Sequence, residues 1–452
     1  MNVPVGRSNQ SGSLRRELGL GSAAAVVAGE CIAVGIFLTP AGMARSLGSP
    51  FWLLIVWLAV GTMTLFGALC YCELAARFPR AGGPYVYLHE IFGPGVAFLY
   101  GWMSLVVLDP GLTAVLATGA SAYLAFILRL SPLGMKLVAA AMIWALCLIN
   151  MRSTRWSAGF LRWLTWLKFG VLFAIVAWAI TLRLGSWSNF LPFVAQRSGS
   201  LPLAPALGAG MVAAFFSFGG WWDVSKIAGE IRDPVKTLPR ALILGVLAVT
   251  SVYVLVSAVF IYLVPLEKVT SDETFVAQAG QVLFGAAGGQ LLSGIVVLCV
   301  LGSLAVLIMA SPRVYFAMAD DGTFLPSVAR LHARYGTPAR AIAVQGTIAT
   351  ILVALQSFQQ IIAYFIFVAV VFLGLSVAGL FVLRRCSAAA PPFSTPGYPC
   401  TPIAFLAMVA VLLVLLAMHS PRQVALGCAV VLAGGPIYYA FKSRRKLASE
   451  SL

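Results

Sequence analysis

Charge is scarce in this sequence. Asp and Glu number 14 and Lys and Arg 30 in 452 residues, 10% together, against 61% hydrophobic residues and a mean hydropathy of +0.96. A soluble domain carries about a quarter charged residues, so this composition excludes one. Histidine is rarer still: His89, His332 and His419 stand alone near predicted span ends and loops. The eight cysteines, Cys31, Cys70, Cys72, Cys147, Cys299, Cys386, Cys400 and Cys428, form no CxxC pair and no cluster with histidine. They read as small packing residues, and neither a metal nor a cofactor is expected. A Walker A lysine, a zinc motif and a nucleophile elbow are also missing, which argues against an enzyme and against ATP-driven pumping by this chain alone. Nothing resembles a cleavable signal peptide, because the polar residues 1–18 lead straight into a span of full length.

Long apolar runs are abundant instead. At about 20 residues per crossing, the hydropathy pattern predicts an all-α polytopic membrane protein of about twelve transmembrane helices. The predicted spans cover 19–44, 52–76, 95–127, 133–150, 160–183, 204–229, 239–264, 286–317, 341–356, 358–383, 402–418 and 423–441. The net charge of +16 does not point to nucleic acid, because of where the basic residues fall. Arg15, Arg16, Arg77, Arg80, Arg152, Arg155, Arg232, Lys236, Arg240, Arg330 and Arg334 fall in alternate connections, on one face of the membrane. By the positive-inside rule that face is cytoplasmic and holds both termini. The tail at 442–452, with Lys442, Arg444, Arg445 and Lys446, is placed to touch anionic lipid headgroups.

Two spans are interrupted. The stretch from Gly29 to Pro40, GECIAVGIFLTP, places an acid, a glycine and a proline within a run of membrane-spanning length. Backbone in hydrocarbon must bond internally, so such a segment is tolerable only beside protein or a water-filled cavity. The sixth span carries the second interruption, Phe216, Ser217, Phe218, Gly219, Gly220, Trp221, Trp222 and Asp223. Each of its adjacent glycines weakens a helix by roughly 1 kcal/mol, and its aromatics offer stacking surface and gates. Close packing through small residues is the alternative, but it does not call for an acid and four aromatics. The breaks occupy equivalent positions in two five-span halves, 19–185 and 204–385, and an odd span count inverts the second half. That is the signature of an inverted-repeat secondary transporter, with spans 11 and 12 (400–441) outside the repeat.

Two charges lie at membrane depth. Asp109, followed by Pro110 in span 3, either faces a cavity as a candidate proton or polar site, or bonds a neighbouring hydroxyl. Lys168 in span 5 needs compensation by carbonyls or an acid, or else snorkels to the interface about one and a half turns past Arg162. Beyond the second break, Lys226 is spaced to pair with Asp223 three residues before it and Glu230 four residues after it.

Several motifs carry a family likeness. GALCYCELAARFPRAGGPYVYLHEIFG at 67–93 holds Glu73 and the Gly82, Gly83, Pro84 reversal. Glu230, Pro234 and Pro239 follow span 6, and Arg313, Gly322, Pro326, Gly336, Pro338 and Arg340 follow span 8. Gly397, Tyr398, Pro399 and Pro402 follow span 10. Together these resemble the amino acid–polyamine–organocation (APC) superfamily of permeases over nearly the whole chain, closest to its L-type and cationic amino acid branches. Asp320 departs, standing where relatives commonly place Arg. The resemblance implies a leucine-transporter type of fold, a short cytoplasmic helix after span 8, and a substrate held between the two breaks. It further implies that Lys168 occupies the place of a sodium ion and touches carbonyls of the first break. Where the family reads Gly-Ser-Gly, this chain has Ala33, Val34 and Gly35, and Glu30 shares a helical face with the first two.

The expected substrate site is thus Glu30, Cys31, Ile32, Ala33, Val34 and Gly35 with Phe216, Ser217, Phe218, Gly219 and Gly220, and Lys168 is the built-in cation. Three functions fit: sodium-independent amino acid transport by proton coupling or exchange, with Glu30 as a proton or polar site that titrates or meets the amino group; cationic amino acid or polyamine exchange with Glu30 as counter-charge; and a non-transporting membrane sensor. Expected partners are an amino acid or amine and membrane lipid, without nucleic acid, for a monomer or homodimer in a bacterial inner membrane.

Overall fold

The computed structural model describes residues 15–33, 35–152, 154–269, 274–355, 358–386, 390–419 and 421–450. It is helical nearly throughout. Ten of its helices are long and apolar enough to cross a membrane among the described residues, and Leu20–Cys31 and Ala339–Leu355 are shorter apolar helices. The remaining long spans run Pro50–Arg77, Pro94–Ala125, Pro132–Arg152, Arg162–Thr181, Leu203–Glu230, Pro234–Leu263, Gly288–Asp320, Ile366–Cys386, Cys400–Met418 and Val424–Phe441. Span numbers below follow the predicted order.

Packing pairs the spans selectively. Span 1 lies on span 6, span 2 on span 7, span 3 on span 8 and span 4 on span 9. Spans 1, 2, 6 and 7 form one packed group, and spans 3, 4, 8 and 9 another. Helix stability here comes from tertiary packing and internal backbone bonding, since hydrocarbon supplies neither partner nor drive.

The first break is tighter than the sequence suggests. Helix Leu20–Cys31 ends at Ile32, and a second helix, Gly35–Leu47, begins three residues later with Pro40 inside it. Ala33 therefore lies beyond the helix carrying Glu30 instead of on its face; Val34 lies outside the described residues. In span 6, helix Leu203–Phe218 stops at Gly219, Gly220 takes a left-handed φ of +99°, and Trp221–Glu230 continues as a 3₁₀ helix. Span 3 contains a π-helical turn, Ser104–Leu108, directly before Asp109. Such turns open the i→i−4 ladder and gather at functional positions.

At the end of the bundle where span 2 finishes, the buried Glu73 organises three segments. Arg384 donates to it through Nε at 3.0 Å and Nη2 at 2.6 Å, Thr395 through its amide at 2.9 Å and hydroxyl at 2.8 Å, and Arg77 at 3.1 Å. Residues 17 and 18, assigned to a polar arm, are fixed here: their amides donate to the Glu230 carbonyl at 3.0 and 2.9 Å. The helix expected after span 8 does not form. Described residues 321–338 are turns and loops, with Gly322 and Gly336 at positive φ, a conformation that breaks helices. The tail, by contrast, extends span 12 as helix Pro421–Glu450.

On the opposite face Arg197 ties loops together, bonding Glu267 and the carbonyls of Gly48, Asn189 and Leu191. Partial burial pushes the Glu267 carboxyl up, but the Arg197 hydrogen bond outweighs it and holds the group below the ordinary carboxylate value. A depressed folded-state value means the pairing stabilises above the unfolded value of about 4.3 and is lost as pH falls through the folded one. Hydrogen-exchange protection of residues 187–201 should therefore drop on acidification in the wild type. In Arg197→Ala it should be low already at neutral pH.

Candidate functional site

The ends of the broken helices converge. The N-terminal turn of Gly35–Leu47 offers amides without intrahelical partners, and the C-terminal turn of Leu203–Phe218 offers carbonyls. These ends carry partial charges of opposite sign. Gly35 permits the approach: a Cβ there would stand 2.8 Å from the Ser217 Cα and 2.7 Å from its Oγ. Between the ends lies a cavity of about 20 Å³ walled by Glu30, Cys31, Ala33, Gly35, Phe216, Ser217 and Gly219, with Leu112 and Leu116 of span 3. That volume admits a water but not an amino acid, so substrate enters only when these elements move apart.

Lys168 is fully buried, not at the interface. Its ammonium donates to the Gly29 carbonyl at 2.8 Å, the Ile32 carbonyl at 2.8 Å and the Ser303 hydroxyl at 2.9 Å. Three acceptors use all three N–H bonds of the charged form; a neutral amine has only two. Gly302 makes the room, since a Cβ there would meet Lys168 Cε at 2.5 Å. The loose C-terminal carbonyls of the first half-helix are thus tied to spans 5 and 8 by one cation. Tyr253 of span 7 ties the two breaks to each other, its hydroxyl lying 2.5 Å from the Cys31 carbonyl and 2.6 Å from the Ser217 carbonyl. Cys31 Sγ also donates to the Phe218 carbonyl at 3.2 Å.

Glu30 forms the wall between this cavity and a second, also about 20 Å³, bounded by Tyr71, Tyr100, Asp109, Gly220, Asp223 and Lys226 among others. Here Lys226 pairs with Asp109 at 2.9 Å and Asp223 at 2.9 Å and reaches the Ser311 hydroxyl at 3.4 Å. Asp109 also accepts from Tyr315 at 3.1 Å and from Ser104. Asp109 thus borders the cavity and also accepts from neighbouring hydroxyls. The expected Lys226–Glu230 pair is not formed; Glu230 binds Arg313 at 2.7 Å instead. In a 3₁₀ helix residues three apart eclipse, so Asp223 stays beside Lys226; the backbone then kinks at Ile227, before Glu230, so helical spacing does not carry over to that pair.

Seven of the eleven expected site residues line the first cavity, and Gly220 lines the second with Glu30. Ile32 and Phe218 have buried side chains, and what they bring to the junction is their carbonyls. Tyr253 and Ser303 carried no sequence signal, because a hydroxyl in an apolar helix looks the same whether or not a broken strand of backbone lies opposite. The Lys226–Asp109 pair joins residues 117 apart, which only the fold reveals.

A polytopic helical membrane protein with two facing helix breaks around one cavity has the design of a solute carrier. The sequence pattern of the family described as amino acid permease matches residues 18–438, and the chain belongs to that family. It is 29% identical to the serine/threonine exchanger SteT of Bacillus subtilis over 440 residues, 96% of this chain and 99% of that one. It is 30% identical to the human large neutral amino acids transporter small subunit 2 over 445 residues, 94% and 80% of the two chains. With the human cystine/glutamate transporter it shares 28% over 436 residues, 95% and 85%.

Proposed function

We propose that this permease is a sodium-independent secondary transporter of amino acids, working by alternating access through exchange or proton coupling. The carrying observation is Lys168, whose ammonium holds the Gly29 and Ile32 carbonyls. A fixed cation at those oxygens leaves no role for a sodium ion there. The substrate carboxylate is assigned to the amides at Gly35, where the helix N-terminus favours an anion, and its ammonium to the carbonyl end near Ser217 and to Glu30. Leu112, Leu116 and Phe216 present apolar surface to the side chain, which favours a neutral substrate over a polyamine. The names of the relatives, transporters and exchangers of amino acids, favour carriage over sensing and over catalysis.

The selective pairing of span 1 with 6, 2 with 7, 3 with 8 and 4 with 9 supports a division into inverted halves at 19–185 and 204–385. We assign spans 1 and 6 as moving elements against the group of spans 3, 4, 8 and 9, with Phe216 closing over substrate. The distribution of basic residues supports cytoplasmic termini, and we assign the chain to a bacterial inner membrane, with spans 11 and 12 facing lipid or a second copy.

Radiolabelled uptake and counterflow in proteoliposomes, with neutral, cationic and acidic amino acids and polyamines, test this reading. Neutral amino acids are expected to exchange, and replacing sodium by choline should leave the rate unchanged. A tenfold fall without sodium would overturn the role given to Lys168.

A further inference from the structure

The proposed transport role leaves one feature of the interior unaccounted for. Glu30 is 3% exposed, yet among the described residues no hydrogen-bond donor reaches either of its carboxylate oxygens, and Asp223, 2% exposed, has Oδ1 equally without a donor. Both carboxyl groups border the same small cavity. Gly220 makes room for Glu30 there, since its missing side chain lets Glu30 lie where a Cβ would stand 2.4 Å from Cγ. Two carboxylates on one cavity are acceptors only, and a bond between them requires a hydrogen.

The surrounding charges agree. The titratable groups facing the pair are Lys226 of span 6, Asp109 and Tyr100 of span 3, Tyr71 of span 2, Tyr315 of span 8, and, behind Glu30, Cys31 of span 1 and Lys168 of span 5. Three of these buried residues with Glu30 and Asp223 form the charged set: Asp109, Lys226 and Lys168. Three carboxylates against two ammoniums leave one uncompensated negative charge, which is costly in a dry interior. One proton removes it.

We propose that Glu30 and Asp223 together form a proton-binding site, sharing a single proton in the wall between the two cavities. The cavity beside the pair, at about 20 Å³, has room for a water. Lys226 already occupies the space between Asp223 and Asp109, so a sodium ion would sit against a fixed ammonium. Proton exchange runs through water in the cavities, with the O–H of one carboxyl breaking as a hydronium forms. That this proton acts on carriage rests on the transport reading; that the pair binds it does not.

Infrared titration of the purified, full-length protein in detergent tests the site without transport. The wild type should show a protonated-carboxyl C=O band that titrates as one proton. Either Glu30→Gln or Asp223→Asn leaves two carboxylates against two ammoniums, so the band should be lost from both. A wild type lacking the band, or a band unchanged in both variants, overturns the proposal, and the wild-type titration alone decides should a variant not fold. Loss of the band on adding sodium in place of a proton titration would equally overturn it, in favour of a metal cation. Counterflow on the same preparation separates the two readings: exchange without the band removes the proton site alone, and the band without exchange removes the transport reading alone.

Discussion

Lys168→Ala is expected to reduce amino acid uptake in proteoliposomes to the background of empty liposomes. The substitution removes three donated hydrogen bonds at once, those to Gly29, Ile32 and Ser303. The Ser303 hydroxyl still reaches Gly29 at 2.6 Å and Ile32 at 3.0 Å, but it has one hydrogen and satisfies one carbonyl at a time. At least one buried carbonyl is left without a donor, at a cost of about 1–3 kcal/mol. The volume of the lost lysine stem adds a cavity penalty, on the order of 2 kcal/mol or more. The damage is local to the C-terminal turn of the first half-helix, so folding should survive while the geometry of the break does not. Lys168→Arg should not rescue, because the Gly302 approach that admits Nζ at 2.9 Å from a notional Cβ has no room for a planar guanidinium. A monodisperse size-exclusion profile with uptake absent is the expected result. Wild-type rates in the alanine variant would show that the break holds without its cation.

Gly220→Ala is expected to be nearly as damaging for a steric reason. Its φ of +99° is strained for any L-residue, by about 1–2 kcal/mol. The added Cβ would also stand 2.4, 2.7 and 3.1 Å from Cγ, Cδ and Cβ of Glu30. Glu30 is enclosed, and overpacking of this kind costs about 1–3 kcal/mol more. Uptake should fall at least tenfold and the thermal midpoint should drop. Truncating the acid as well, in Gly220→Ala with Glu30→Ala, should recover much of the midpoint without recovering transport, because the clash is gone but the acid is too. A double variant no more stable than the single one would place the damage in the backbone alone.

Much of the carrier was legible in the chain because the membrane makes composition informative. Gly219 and Gly220 advertise a break in an otherwise apolar run, and Glu30 and Lys168 advertise buried compensation, since hydrocarbon tolerates neither loose backbone nor an unpaired charge. Lys226 illustrates the limit. Its pairing with Asp223 followed from spacing, but its second partner was read as Glu230 under α-helical geometry. The backbone after Gly220 is 3₁₀ and kinks at Ile227, Glu230 pairs with Arg313 beyond the kink, and Asp109 of span 3 is the second partner of Lys226.

The sequence by itself determined the polytopic helical class, the two interruptions, the family and the residues that had to be compensated, because each of these is a local property of apolarity, charge and backbone freedom. The tertiary structure alone supplied Ser303 beside the carbonyls expected for Lys168, Tyr253 bridging the breaks, Asp109 as the second partner of Lys226, and, among the described residues, Glu30 without a donor beside the cavity that Asp223 also lines. These partners come from different spans, and hydrogen bonds and ion pairs fall off within a few ångströms. Nothing along the chain records which spans meet at that distance.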